Sequence, residues 1–179
     1  MIRFIEQFIK GVFLVENFVA KDARGFFVKT ISANKLESMG FKHSFRESYY
    51  SNSHKDVIRG MHFQTPPYDH DKLVYVTDGN ILDVVLDIRK FSPTYGKHIS
   101  FNLSAYGSSV LVPKGCAHGF LTLSETATVV YNVTSEYEPT ADKGVLWNSF
   151  GFNWDVKDPI LSGRDKGFPD FNDSHFFVQ

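Results

Sequence analysis

The sequence predicts an all-β protein, a sandwich or barrel of short strands. Two observations support this fold class. Short β-rich runs recur along the chain, and each ends at a turn signal such as Asp78-Gly79-Asn80 or Pro113-Lys114-Gly115. The chain has 179 residues, about the size of one domain, and no repeat or Gly/Ser linker divides it. We therefore expect a single domain over residues 1–179.

The predicted elements are one early helix and strands in most of the remainder. Ser32 is a capping residue and Gly40 a stop signal, which together predict a helix over residues 32–39. Strands are predicted at residues 73–76, 81–89, 109–112 and 128–133. Within 81–89, residues 82, 84, 86 and 88 are apolar whereas Asp83, Asp87 and Arg89 alternate with them, so one face should be apolar and the other polar. The segment after Trp154 should wrap around this body.

Charge and composition exclude several classes of function. Nineteen basic and twenty acidic residues give a net charge of -1, which does not favour binding to nucleic acid or to an anionic membrane. The N-terminus lacks the features of a signal peptide, and no apolar stretch approaches the length of a membrane span. Cys116 is the single cysteine, so no internal disulfide can form, and we interpret it as a packing residue rather than a nucleophile. We expect a cytoplasmic protein with a small ligand.

A first group of chemically active side chains lies in Arg59-Gly60-Met61-His62-Phe63-Gln64, followed by Lys72. It would place a cation, an imidazole and an amine on adjacent β elements. Arg59 and His62 are three residues apart, so a regular strand would point them to opposite faces, and we expect Gly60 to supply a bulge that reconciles them. The plainer alternative is a core histidine with two surface charges.

A second group is the turn from Pro113 to Phe120, which delivers His118 to the next strand. Cupin barrels carry this Pro-x-Gly-x-x-His pattern. A metal-binding cupin would add a second histidine and a glutamate, but Gln64 and Lys72 occupy the partner segment, so we expect neither a metal nor another cofactor. The alternative for His118 is a turn histidine bonded to backbone. No glycine-rich phosphate motif is present, so a phosphate would depend on arginines such as Arg24 and Arg59, with Phe26 or Tyr137 stacking on a base.

Seven motifs follow one another along nearly the whole chain: Asp22-Ala23-Arg24-Gly25-Phe26-Phe27, residues 59–64, Lys72-Leu73-Val74, residues 83–89, Ser92-Pro93-Thr94-Tyr95-Gly96, residues 113–120 and Trp147-Asn148. In this order and spacing they resemble the dTDP-4-dehydrorhamnose 3,5-epimerases. The resemblance implies a cupin-type double-stranded β-helix, that is, a jelly-roll barrel, with a few short helices. It also implies a homodimer that shares N-terminal strands. The implied activity is metal-independent inversion of C3, C5 or both in a nucleotide-diphosphate-linked 4-keto-6-deoxy sugar, in deoxysugar biosynthesis for surface polysaccharide.

The same resemblance implies roles for individual residues. His62 would be the catalytic base, Asp165 its acidic partner, Tyr131 the acid on the opposite face and Lys72 the group that stabilises the enolate. The residues it places around the substrate are Arg24, Phe27, Glu47, Tyr49, Arg59, Gln64, His118, Tyr137 and Arg164. Three positions depart from the family pattern: Lys29 stands where the family has glutamate, and Glu47 and Tyr49 stand where it has glutamine and asparagine.

The residue types also fit this chemistry directly. Inversion at a carbon beside a ketone needs a base on one face, an acid on the other and positive charge near the ketone oxygen. His62, Tyr131 and Lys72 supply one of each. A single-centre epimerase or a 3,4-ketoisomerase would need the same groups. A non-catalytic sugar-binding cupin would not need them.

Overall fold

The computed structural model describes residues 1–41 and 44–173. Its first half contains β1 (Arg3–Glu6), β2 (Phe13–Glu16), β3 (Phe18–Asp22), β4 (Gly25–Lys29), α1 (Ala33–Ser38), β5 (Glu47–His54), β6 (Ile58–Gln64) and β7 (Lys72–Asp78). The second half contains β8 (Asn80–Asp87), β9 (His98–Ser104), β10 (Ser109–Val112), β11 (Cys116–Thr122), β12 (Thr126–Val133), β13 (Asp142–Gly144), α2 (Gly163–Lys166) and a 3₁₀ turn (Phe171–Asp173). The predicted helix and strands therefore form.

Two antiparallel sheets make up the body. One has six strands in the order β1-β2-β10-β7-β12-β5, and the other has five in the order β13-β6-β11-β8-β9. The hairpin β3–β4 forms a separate two-stranded sheet. The cluster of apolar side chains between the two larger sheets includes Val74, Val110 and Val129 from the first and Val85 and Phe120 from the second. This core holds the sheets face to face.

Each sheet is also covered on its outer face. Leu36 of α1 packs with Leu73 and Leu111 on the six-stranded sheet. Ser32 is at the N-cap position of α1 as predicted, although its hydroxyl makes no capping hydrogen bond. Residues 145–171 cover the five-stranded sheet, where Trp154 and Leu161 pack against the outer face. The segment after Trp154 thus wraps around the body as expected.

Packing buries both faces of β8: residues 84 and 86 lie under the covering segment, and the face of Asp83, Val85 and Asp87 points between the two sheets. The alternation in 81–89 is present, but the face predicted to be polar is buried, since Asp83 and Asp87 are both fully inaccessible. Burial raises the pKa of Asp87, but hydrogen bonds from Arg89, Ser92 and Thr94 outweigh it and lower the pKa overall. The sequence cannot distinguish a charged side chain that faces solvent from one that is buried between two sheets and hydrogen-bonded there.

Within residues 1–41 and 44–173, no helix is long and apolar enough to cross a membrane.

Candidate active site

A cavity of about 380 Å³ opens between the two sheets, a size typical of small-molecule sites. Strands β5, β7 and β12 form one wall, and β6 and β11 form the other. Ten of the residues predicted for the site line it: Glu47, Tyr49, Arg59, His62, Gln64, Lys72, His118, Tyr131, Tyr137 and Arg164. The structure therefore brings together residues that are far apart in the chain.

His62 and Asp165 form a hydrogen-bonded pair at this cavity. His62 Nε2 lies 2.9 Å from Asp165 Oδ1, and the histidine side chain is 31% exposed whereas the aspartate is buried behind it. Burial raises the pKa of Asp165, but hydrogen bonds from His62 and the Gly60 N–H outweigh it and lower the pKa overall. An ionised Asp165 accepts the Nε2–H and leaves His62 Nδ1 as the basic nitrogen. The predicted acidic partner is therefore next to the predicted base.

The bulge expected at Gly60 is present. The pairing of β6 with β11 shifts register between His118 and Phe120, and Gly60 has a φ of 146°. A Cβ at Gly60 would lie 2.6 Å from the Cα of Gly119, so only glycine fits this close approach of two strands. The irregularity lets both Arg59 and His62 line the cavity although they are three residues apart.

His118 is a second histidine with a carboxylate partner. It is the cross-strand neighbour of His62, and its Nε2 lies 2.6 Å from Asp83 Oδ2. Burial lowers the pKa of His118, although Asp83 opposes the shift. The alternative of a turn histidine bonded to backbone is thus not what the structure shows. The buried Asp83, which the alternation assigned to the polar face of its strand, holds the His118 ring in place.

Lys72 and Tyr131 lie on the opposite wall from His62. Successive strands β6 and β7 belong to different sheets, so the expectation that His62 and Lys72 sit on adjacent β elements is wrong: the chain crosses between sheets in residues 65–71. Burial lowers the pKa of Lys72 to about 8, while Asp83 and Asp142 oppose the shift. Burial also raises the pKa of Tyr131, which keeps its hydroxyl protonated. The cavity therefore has an imidazole on one wall, and an amine and a phenol on the other.

The mouth of the cavity is polar. Glu47 Oε2 accepts a hydrogen bond from the Tyr137 N–H at 2.8 Å, and Arg164 forms a 2.6 Å ion pair with Asp142. The Tyr137 ring is 59% exposed at the cavity edge, where it is available for stacking. Gln64, predicted to bind substrate, lines the cavity and is also hydrogen-bonded to two loops: its Nε2 donates to Tyr68 O at 2.8 Å and its Oε1 accepts from Glu138 N at 2.7 Å.

Arg24 and Phe27 are not among the residues that line the cavity. They belong to the β3–β4 hairpin, where Arg24 pairs with Asp22 and the Phe27 ring is 60% exposed. Cys116 is buried, and burial raises its pKa to about 12, which fits a packing residue better than a nucleophile. Within residues 1–41 and 44–173, no group of three or more His, Cys, Asp or Glu side chains could hold a metal ion.

The sequence interpretation missed several residues of the cavity. Ser51 lines the cavity and continues the inward face of β5 that already carries Glu47 and Tyr49. Ser53, on the same face, does not line the cavity but accepts a 2.8 Å hydrogen bond from the lining residue Arg59, through its Nε. The period of two in a strand would have found both serines. His70 and Asp142 also line the cavity, but nothing in their local sequence distinguishes them.

Comparison with known proteins relates this site to one family. The sequence profile of the dTDP-4-dehydrorhamnose 3,5-epimerases matches residues 6–173. The dTDP-4-dehydrorhamnose 3,5-epimerase of Shigella flexneri is 39% identical over 178 residues, which cover 97% of this chain and 98% of the relative.

Solved structures agree with the sequence comparison. A dTDP-4-dehydrorhamnose 3,5-epimerase from Bacillus anthracis with TDP and PPi bound superposes with a TM-score of 0.91 at 40% identity, covering 95% of this chain and 99% of that one. The dTDP-6-deoxy-D-glucose-3,5-epimerase of Legionella pneumophila in complex with dTDP-4-keto-L-rhamnose has a TM-score of 0.91 at 31% identity, covering 96% and 94%. These likenesses confirm the expected cupin-type β-fold. The chain belongs to the dTDP-4-dehydrorhamnose 3,5-epimerase family and is an isomerase-class enzyme of nucleotide-sugar metabolism.

Proposed function

We propose that this enzyme inverts C3 and C5 of a dTDP-linked 4-keto-6-deoxy sugar, in cytoplasmic deoxysugar biosynthesis for surface polysaccharide. The observation that supports this best is the position of His62 on one wall of the cavity and of Tyr131 on the other. A sugar ring between them would meet a base on one face and an acid on the other. The names and ligands of the relatives support the choice of dTDP and of the sugar.

The first chemical step is removal of a proton beside the C4 ketone. His62 Nδ1 takes the proton, the C–H bond breaks, and its electron pair moves onto the ketone oxygen to give an enolate. The Asp165 carboxylate, 2.9 Å from Nε2, fixes the tautomer and stabilises the imidazolium that forms. Cationic Lys72, buried in the opposite wall, stabilises the negative charge on the oxygen.

The second step is protonation of the same carbon from the other face. The Tyr131 hydroxyl donates its proton to the enolate carbon, which restores the ketone with inverted configuration. Tyr131 then regains a proton from solvent, and His62 releases its proton to solvent. The same pair of groups acts on each carbon in turn, and no metal or organic cofactor enters either step.

The phosphates and the base would lie toward the mouth of the cavity. Arg59 and Arg164 supply positive charge for the diphosphate, and the exposed Tyr137 ring supplies a stacking surface for the base. His118, held by Asp83, would hydrogen-bond the sugar.

We also infer a homodimer in which the N-terminal strands are shared. Within the described residues, β5 is hydrogen-bonded on one side only, and the β3–β4 hairpin pairs with neither large sheet. The hairpin exposes Phe18 and Phe27, and such apolar surface beside an open strand edge favours association with a second copy. A partner hairpin laid along β5 would bring its Arg24 and Phe27 toward the strand that carries Glu47 and Tyr49.

The test is incubation with dTDP-, GDP- and CDP-linked 4-keto-6-deoxy sugars in D₂O, with NMR detection of deuterium and configuration at C3 and C5. The wild type should invert both carbons of the dTDP sugar. His62→Ala should abolish inversion and exchange together. Tyr131→Phe should still exchange with retained configuration, because His62 can return a deuteron to the face it came from.

Two results would contradict the assignment of base and acid: inversion at the wild-type rate in Tyr131→Phe, or exchange in His62→Ala. Deuterium at only one of C3 and C5 would identify a single-centre epimerase. Migration of the keto group would identify a ketoisomerase. Thermal melting of each variant near the wild-type temperature controls for loss of folding.

A further inference from the structure

The proton donor Tyr131 is covered by a second tyrosine. Tyr49 of β5 and Tyr131 of β12 are directly opposite in the strand register, and their rings stack with centroids 4.8 Å apart and planes 21° from parallel. The His118 ring makes an edge contact with Tyr131 at 6.3 Å. Tyr131 is only 7% exposed as a result. Ring packing thus surrounds the group that delivers the proton.

The hydroxyl of Tyr131 is held less firmly than its ring. Its hydrogen-bond partner in the described part of the chain is the Ser51 hydroxyl, at an O···O distance of 3.3 Å. Hydrogen bonds between hydroxyls are usually about 2.5 to 3.0 Å long, so this one is weak. The direction in which the hydroxyl points therefore depends mainly on how the ring is packed.

We propose that Tyr49 is a positioning residue for Tyr131, and that its stacked ring sets the ratio of inversion to solvent exchange. This inference rests on the proposed function. Exchange needs only that His62 removes a proton and returns a deuteron to the same face. Inversion also needs the Tyr131 hydroxyl aimed at the enolate carbon from the opposite face. A less fixed Tyr131 ring therefore lowers inversion and leaves exchange in place.

The ring of Tyr49, not its hydroxyl, holds Tyr131 in position. Burial, together with the Glu47 and Asp142 carboxylates, raises the pKa of Tyr49 to about 12, so the side chain is neutral near pH 7. A neutral ring stacked on Tyr131 constrains it through contact area and ring electrostatics, and neither depends on the Tyr49 hydroxyl. Phenylalanine at this position keeps the constraint, whereas leucine removes the stack and keeps an apolar side chain.

Strand β5 offers a matched control. Tyr50 is the next residue, points to the other side of the strand and is 73% exposed. Tyr50→Leu removes the same phenol ring from the same strand, on the side that faces away from Tyr131. Tyr50→Leu is therefore expected to keep the wild-type ratio.

The experiment measures inversion and deuterium exchange in one D₂O reaction of the dTDP sugar for wild type, Tyr49→Leu, Tyr49→Phe and Tyr50→Leu. Tyr49→Leu should lower the ratio of inversion to exchange by about 2- to 13-fold, the range that corresponds to loss of one aromatic pair. Tyr49→Phe should restore the wild-type ratio. Because both rates come from the same molecules, a partly unfolded variant loses both equally and its ratio is unaffected.

Three results would overturn the proposal: an unchanged ratio in Tyr49→Leu, a ratio in Tyr49→Phe as low as in Tyr49→Leu, or an equal fall in Tyr50→Leu. The second would mean that the Tyr49 hydroxyl acts directly. If the wild type neither exchanges nor inverts any of the sugars, the proposed function fails and this inference fails with it. If the wild type inverts normally and Tyr49→Leu keeps its ratio, only this inference fails.

Discussion

Raising the pH from 7 to 9 should remove most of the epimerase activity through Lys72. Burial lowers the pKa of this lysine from 10.5 to about 8. The cationic fraction then falls from about 90% at pH 7 to about 10% at pH 9, and only the cation stabilises the enolate oxygen. The rate of inversion at saturating substrate should therefore drop about tenfold across this interval. Initial rates by NMR at half-unit pH steps would measure the drop.

Loss of folding would not explain such a drop. A lysine whose pKa is lower in the folded state than in the unfolded state favours folding as the pH rises from about 8 to 10.5, because only the unfolded chain keeps its proton there. This group alone adds about 3 kcal/mol to the free energy of unfolding over that window. Thermal melting at each pH would separate the two effects.

Lys72→Met is the matched variant for this prediction. It removes the titrating amine and keeps a side chain of similar length, so its rate at pH 7 should be low and should no longer fall between pH 7 and 9. A wild-type rate that is constant up to pH 10 would refute the argument. The same alkaline decline in Lys72→Met would refute it as well, since another group would then be titrating.

Three further outcomes are expected. Asp165→Asn should lower kcat by at least about 10²-fold with little change in KM, because an amide cannot hold the His62 tautomer or stabilise the imidazolium; a kcat near wild type would disprove that role. EDTA should leave the rate unchanged, whereas inactivation reversed by one added metal would show a metal site. Light scattering should give the mass of two chains at micromolar concentration, and Phe27→Asp should shift it toward one chain; a monomeric wild type would rule out the shared hairpin.

Local pattern was enough to predict β7, β8, β10 and β12 and the turn that delivers His118 to the next strand. Alternation located β8, and the glycine between Arg59 and His62 indicated the bulge that turns both side chains into the cavity. These features depend on neighbours within a few residues. They are therefore encoded in short stretches of sequence.

The partners of the active groups depend instead on how the sheets pack. Asp83 belongs to the predicted polar face of β8, but that face points between the two sheets, where Asp83 is buried beside His118. Lys72 was expected on a β element adjacent to that of His62, yet the chain changes sheets in the seven residues between Gln64 and Lys72. The pairing of Asp165 with His62 came from family resemblance, since no local pattern links residues 103 positions apart.

The two walls of the cavity belong to the two sheets of the sandwich, so the apolar core between the sheets sets the distance between the walls. Packed sheets lie about 10 Å apart, and side chains such as Val129 and Phe120 fill that gap beside the cavity. A core substitution that let the two sheets approach would shorten the distances from a bound sugar to His62 and to Tyr131. The substituted residue would contact neither side chain nor the sugar. Core substitutions far from the cavity are therefore expected to change the rate of inversion through the distance between His62 and Tyr131.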